Sequence, residues 1–374
     1  LRMGFLVNPV SGTGGLAGFK GTDGIFFEAV KRGGIPLSYR KAYLFLRGLS
    51  SFLCNRNVSF EIITPPSYMG YSLVKPLLHK CNNVQVKVTR SFRLDTFPST
   101  RYHTLRAIRE MIDEKVDFIV FTGGDGTARD VLEAIDEDNV PVLGVPAGVK
   151  VFSAVFAYTP VDASLTIQEF IENPTNRKVE LREVVDWDPA SDGRLITYGY
   201  LPVITREGLV QPSKSPGCYN GLEGAVDYIL EFMNNKPDTL FLTGPGRTVK
   251  FIHERINAPY TLFGVDALEN GHVVGLDLDY KSIVDLIKDR EEFYVIVTPI
   301  GGQGVLFGRG NHQFGPIVLE RLKRENLLVV SSECKLRGIR SLKIDTGYPR
   351  LDSKFKGYIR VITGYMEERV VLVE

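Results

Sequence analysis

The chain has 374 residues, 44% of them hydrophobic and 24% charged, the balance of a folded protein long enough for two domains rather than a disordered or membrane-embedded one. Its 45 basic residues meet 44 acidic ones for a net charge of +1, which excludes the electrostatic footprint of a nucleic-acid binder. No run of about 18 apolar residues marks a membrane span, and the opening LRMGFLVNPV reads as a strand rather than a leader, which favours the cytoplasm.

Short apolar strands and helical runs alternate up to about residue 165. MGFLVN is a strand, FFEAVKRG and YRKAYLFLRGLSSFL are helical, VSFEIIT is a strand, a helix runs from Met69 to His79, and VQVKV is a strand. A helix from about Ser99 to Glu114 precedes the strands DFIVF and VPVLGVP, which are separated by a helix beginning at Thr127. That order, with Val-, Ile- and Phe-rich strands, predicts an α/β fold with a parallel sheet covered by helices.

YTPVDASLTIQEFIENP is a helix opened by Pro160 and closed by Pro174, and composition changes after it. The expected division is an N-terminal α/β domain over residues 1–165 and a mixed, strand-rich α/β domain over 166–374. The last segment of the second is able to pack back on the first, and the ligand cleft lies between them. KVELREVVDWD and RLITYGYLPVI alternate like antiparallel strands, VQPSKSPGCYNG is a loop, and strands and helices alternate again from Thr239. Cys54, Cys81, Cys218 and Cys334 lack zinc-site spacing and read as buried free thiols; His253 in FIHERI lacks the second histidine of a metalloprotease motif.

Three glycine-rich turns follow strands: NPVSGTGGLAGFKGTDG with Asn8, Gly12, Gly14 and Gly15; TGGDGT with Gly123, Gly124, Gly126 and Thr127; and TPIGGQG with Thr298, Gly301 and Gly302. At the carboxyl edge of a parallel sheet, successive backbone N–H groups in such turns cradle phosphates. None is a Walker A loop or a dinucleotide fingerprint. Asp125 stands among glycines, open to close approach by a ligand. Thr127 can cap the following helix, which leaves the Asp125 carboxylate, ordinarily ionised with a pKa of about 3.9, to accept a hydroxyl proton in phosphoryl transfer or to hold magnesium. TGPGRT, Thr243 to Thr248, is a further strand-turn-helix loop able to receive an anion.

These blocks carry a resemblance. GGDGT after an apolar strand, with the NPxSGxG-like first turn, resembles the superfamily of NAD kinases, diacylglycerol and sphingosine kinases and, more distantly, phosphofructokinases. NPVSGTGGLAGFKGTDG, GGDGTARDV, GVPAGVKVFSAVFA, LFGVDAL, VTPIGGQGVLFGRGNHQFGP and IDTGY, spread over almost the whole chain, look like the ATP-NAD kinase-like branch of archaea and bacteria, to which proteins near acetoin-utilisation operons are related. The resemblance implies phosphorylation of the adenosine-ribose 2′-hydroxyl of NAD, with ATP or inorganic polyphosphate as donor, Mg2+ or another divalent cation assisting, and a homo-oligomer. It places Asp125 on the ribose hydroxyl, Gly123, Gly124, Gly126 and Thr127 around the phosphates, Asn8 and Gly12 in the first turn, and Thr298, Gly301 and Asp345 near the nucleotide. The Asn-Glu dipeptide of ordinary NAD kinases has no counterpart here.

Other polar residues in the same blocks are candidates on chemical grounds: Lys20 for phosphate, Asp23 for metal, Lys150 for phosphate neutralisation, Arg309 and Asn311 for a base or phosphate, and Asp266 for a ribose. Two alternatives stay open. One is a kinase for another hydroxyl, a lipid or polyol, although no membrane-facing helix stands out; the other is a nucleotide-binding regulator without catalysis.

Overall fold

The structure is a computed structural model, and it describes residues 1–22, 24–56, 59–79, 81–90, 98–135, 138–188, 194–210, 221–300 and 303–374. The chain forms two compact units, Leu1–Gly12 with Pro36–Ser213 and Thr13–Ile35 with Lys214–Glu374. The segment Thr13–Ile35, which carries α1 (Phe26–Lys31), therefore belongs to the second unit.

The first unit is built on β1 (Arg2–Val7), α2 (Ser38–Cys54), β2 (Phe60–Thr64), α3 (Tyr71–Leu78), β3 (Val84–Val88), α4 (Arg101–Asp113), β4 (Phe118–Gly123), α5 (Asp125–Ile135), β5 (Val142–Pro146), α6 (Pro160–Glu172), β6 (Val179–Asp188) and β7 (Arg194–Ile204). Its sheet has the order β3-β2-β1-β4-β5-β7-β6, parallel except for the β6–β7 hairpin. Gly4 of β1 leaves room for Met111 of α4, while the next residue, Phe5, stacks on Phe45 of α2 at 5.8 Å, so the two helices cover opposite faces. Strands buried on both sides explain the continuous apolar runs in the sequence.

Two expectations change here. The boundary near residue 165 falls inside the first unit, because β7 pairs with β5 through Val142 and Val203 and brings β6 with it, closing what would be an open strand edge. Cys54 and Cys81, expected as free thiols, are joined in a disulfide between the end of α2 and the turn before β3, with Cα atoms 4.7 Å apart; Cys334, also expected as a free thiol, is disulfide-bonded too, and Cys218 lies outside the described residues.

The second unit contains α7 (Leu222–Asn234), β8 (Leu240–Thr243), α8 (Arg247–Arg255), β9 (Val265–Glu269), β10 (His272–Leu278), α9 (Tyr280–Ile287), β11 (Phe293–Val297), β12 (Val305–Phe307), α10 (Pro316–Arg321), β13 (Leu327–Val330), α11 (Glu333–Arg337), β14 (Lys343–Ile344), α12 (Pro349–Lys354), β15 (Gly357–Gly364) and β16 (Glu367–Val373). Its sheet runs β10-β9-β8-β11-β13-β15-β16, with β8, β11, β13 and β15 parallel and antiparallel strands at both ends. Alternate residues face opposite cores. Leu240, Leu242, Val295, Val297 and Val329 meet α9, α10 and α12, whereas Phe241, Ile296 and Val330 meet α7 and α8. The mixed α/β character expected from the sequence is present. The last strands, β15 and β16, complete this second sheet.

Candidate functional site

In the first unit the chain leaves β1 toward β2 and β3 on one side, then returns to β4 and β5 on the other. The loops after β1 and β4 therefore diverge at a topological switch point, where ligands bind in open parallel sheets. Asn8 and TGGDGT occupy that point. The Asn8 amide N–H donates to the Thr122 carbonyl at 2.9 Å, and Asn8 Nδ2 donates to Thr127 Oγ1 at 2.9 Å. The two loops are thus tied by backbone and side chain.

The glycines here are packing requirements. Gly12 has φ +81°, and a Cβ on it would stand 2.4 Å from the Ala147 carbonyl oxygen. Gly124 and Gly148 bring two turns into backbone contact, since a Cβ on Gly148 would lie 2.6 Å from the Gly124 Cα. Gly123 admits the Thr127 side chain, and Gly126 lies half-buried in the first turn of α5. Thr122 Oγ1 is buried here with no hydrogen-bond partner among the described residues.

Asp125 is not a loop residue beside a helix starting at Thr127. It opens α5, and its side chain is buried. Its carboxylate accepts the Phe152 N–H at 2.8 Å and the Ser153 N–H at 2.9 Å. Burial outweighs these bonds and, with a smaller push from Asp186, lifts the carboxyl to about 7 instead of the ordinary acid range assumed from the sequence. Ser153 is itself fixed, since its hydroxyl donates to the Val185 carbonyl at 2.8 Å and accepts the Val185 N–H at 3.0 Å. The acid is thus held through Ser153 by β6, the strand expected in the other domain.

Lys150 follows in the same turn, with Nζ 4.7 Å from the ring centre of Trp187, and Arg129 of α5 pairs with Asp186 at 3.0 Å and stacks on Tyr198 at 4.1 Å. Phe152, Ser153, Asp186 and Trp187 were missed by sequence reasoning. The GVKVFS block after β5 was the only local signal for the first two; Asp186 and Trp187 come from a remote hairpin that no spacing rule connects to Asp125.

The remaining candidates lie in the second unit, and several are already engaged. Gly14 and Gly15 pack tightly, a Cβ on them meeting the Gly21 carbonyl oxygen at 2.1 Å and His312 Cγ at 2.7 Å. Lys20, expected on phosphate, pairs with Asp277 at 2.9 Å. Asp266, expected on a ribose, is buried and accepts from Lys250 at 2.7 Å, Thr261 N at 2.8 Å, Thr261 Oγ1 at 2.6 Å and Asp277 N at 2.9 Å, so its oxygens are saturated. Arg309 and Asp345 face each other at 3.8 Å, Arg309 also donates to Gln303 at 3.0 Å, and Asn311 holds the Leu306 carbonyl at 2.6 Å and the Gly308 N–H at 3.2 Å. Those three close the β12–β14 pair. Thr298 is buried and accepts from Lys335 at 2.9 Å. Asp23, Gly301 and Gly302 lie outside the described residues.

Among the described residues, no group of three or more His, Cys, Asp and Glu side chains gathers as a resident metal would need. Asp125, with a raised pKa and both oxygens bonded to N–H groups, does not fit as the core of a protein-held cation site. Among the described residues, no helix is long and apolar enough to cross a membrane.

Fold and site together define an α/β protein that presents a glycine turn and one perturbed acid at the switch point of a parallel sheet. The chain belongs to the ATP-NAD kinase family: residues 4–174 match the ATP-NAD kinase N-terminal domain and residues 238–373 the ATP-NAD kinase C-terminal domain. It is 44% identical over 52 residues to an NAD kinase of Hydrogenovibrio crunogenus, a stretch covering 14% of this chain and 18% of that protein. A candidate diacylglycerol kinase from Bacillus anthracis str. Sterne is similar at 12% identity over 38% of this chain and 62% of its own, with a TM-score of 0.21.

Proposed function

We propose that the protein is a kinase that phosphorylates the adenosine-ribose 2′-hydroxyl of NAD, with ATP or inorganic polyphosphate as donor. The observation that supports this most is Asp125 itself: a carboxyl at about 7, held by two N–H groups at the switch point of the sheet. A base poised near the working pH is what proton removal from a hydroxyl calls for. In the proposed step the ribose oxygen attacks the terminal phosphorus of the donor, the bond from that phosphorus to the bridging oxygen breaks, and the hydroxyl proton passes to Asp125. ADP, or a polyphosphate shortened by one unit, leaves. The first-turn N–H groups of α5, which have no intrahelical acceptor, and the Lys150 ammonium meet the phosphate charge. Any magnesium enters with the nucleotide's phosphates as part of the substrate.

The test is NADP formation by the purified protein with NAD and magnesium, and ATP or polyphosphate in separate reactions. The expected outcome is product from the wild type and a loss of several orders of magnitude in Asp125→Asn, with NAD binding kept. Because a base acts only when deprotonated, kcat/KM should rise with pH through about 7 and then level off. Product from both proteins would remove Asp125 from the chemistry. NAD binding without product under either donor would favour another acceptor hydroxyl or a regulator.

A further inference from the structure

Asp125 and Arg129 are one helical turn apart on α5 and share a face of it. A long helical side chain leans toward the turn before its own, which carries the Arg129 stem back toward Asp125. Two residues of the β6–β7 hairpin meet it there. Arg129 Nη1 donates to Asp186 Oδ2 at 3.0 Å, and the guanidinium lies 4.1 Å from the centre of the Tyr198 ring. Tyr198 comes this close because a glycine follows it: a Cβ on Gly199 would lie 3.0 Å from Leu132, so β7 rests directly on α5.

The ion pair uses little of the guanidinium. Arginine has five N–H donors, and the bond to Asp186 is the one hydrogen bond that Arg129 makes among the described residues. The Arg129 side chain is 44% exposed against 21% for Asp186, so its remaining donors open to solvent. Asp186 is occupied on both oxygens, because its Oδ1 accepts the Trp187 N–H at 2.8 Å. Trp187 in turn has Lys150 Nζ 4.7 Å from its ring centre. The hairpin thus brings a tyrosine and a tryptophan to the acid, each with a cation against its face. An ion pair this exposed adds little to stability, whereas a planar fork held by stacking and by a carboxylate is preset for phosphate oxygens.

We propose that Arg129 is a further substrate-contacting residue, whose outward N–H groups take oxygens of the donor's phosphate chain beside Asp125, and that Asp186 and Tyr198 are its positioning residues. This rests on the reading of the Asp125 site as one of phosphoryl transfer, and adds to it a cation on the acid's own helix that offsets charge on the phosphoryl oxygens.

The experiment is calorimetric titration of the full chain with inorganic tripolyphosphate, comparing wild type with Arg129→Met, Arg129→Lys, Tyr198→Leu and Tyr198→Phe. Arg206→Met is the control, since Arg206 is a partly exposed arginine of the same unit paired with Glu169 at 2.6 Å. Binding should weaken about tenfold or more in Arg129→Met, as loss of a charged hydrogen bond implies, and stay unchanged in Arg206→Met. Arg129→Lys should recover part of the loss, because it restores the charge without the fork. Tyr198→Leu should weaken binding several-fold, and Tyr198→Phe, which keeps the ring, should not. If Arg129→Met fails to fold, the two Tyr198 variants read the same contact. No saturable binding in the wild type overturns the proposal, as does equal binding by Arg129→Met and wild type or an equal loss in Arg206→Met. Tyr198→Leu binding as the wild type does would remove the positioning role. Asp125→Asn separates this from the base: it should bind tripolyphosphate no more weakly than wild type, and if it also formed NADP, the base would fall while a loss in Arg129→Met still stood.

Discussion

At the scale of single residues, Asp125 combines two opposed influences. Two backbone N–H donors favour its ionised form, and burial disfavours it more strongly, so the carboxyl sits at about 7. The sign for stability follows from proton counting. Between its ordinary value and about 7 the folded protein holds a proton that the unfolded chain has released, so this group makes stability fall as pH rises through that window. Relative to Asp125→Asn, the wild type should therefore be less stable at pH 8 than at pH 4.5, by about 3 kcal/mol. Urea midpoints of both proteins at the two pH values check this, and a pH-independent difference would place the carboxyl in the ordinary acid range. Asp266 is the contrasting acid. Coulombic attraction and hydrogen bonding from Lys250 and Thr261 overcome its burial and hold it below the ordinary range.

At the scale of elements, the Lys250–Asp266 pair ties α8 to β8 and β9, with both side chains fully buried and Thr243 bridging to His253 at 2.8 Å. Removing one partner strands the other in a dry interior, whereas removing both removes the charge altogether. Asp266→Ala should cost about 3–5 kcal/mol of unfolding free energy, and the double variant Asp266→Ala with Lys250→Met should recover a large part of it. Denaturant melts of the two proteins decide, and equal losses would mean the pair is not what stabilises this turn. The Cys54–Cys81 disulfide closes a loop of sequence separation 27 that contains β2 and α3. Constraining the unfolded chain in that way is worth about 3.5 kcal/mol in the chain-entropy treatment. The double variant Cys54→Ser with Cys81→Ser should lower the urea midpoint accordingly, and alkylation of the wild type without reduction should leave both cysteines unlabelled. Such bonds are rare in the cytosol of mesophiles, so the same labelling bears on the cytoplasmic setting expected from the sequence.

At the scale of the whole molecule, the first unit is discontinuous in sequence, because Thr13–Ile35 belongs to the second. The hairpin after α6 supplies Val184, Leu201 and Val203 to the first core. A fragment ending at residue 165 should therefore lack a native sheet edge and give no dispersed amide spectrum, whereas one ending at 213 should fold; comparable spectra from both would return the boundary to 165. The alternation of strands and helices, the three glycine turns and Asp125 were legible because they depend on local periodicity and on residues a few positions apart. The partners of Asp125, the engagement of Asp266, Arg309 and Asp345 within the protein, the disulfide and the place of β6 and β7 were not. Each depends on which remote strand pairs with which. What the sequence determined by itself was the kind of fold and the loop that bears the acid, since backbone conformation and apolar spacing are written locally. Only the tertiary structure decided the protonation of that acid and which polar side chains remain available to a ligand, because burial and hydrogen bonding are set by neighbours brought from elsewhere in the chain.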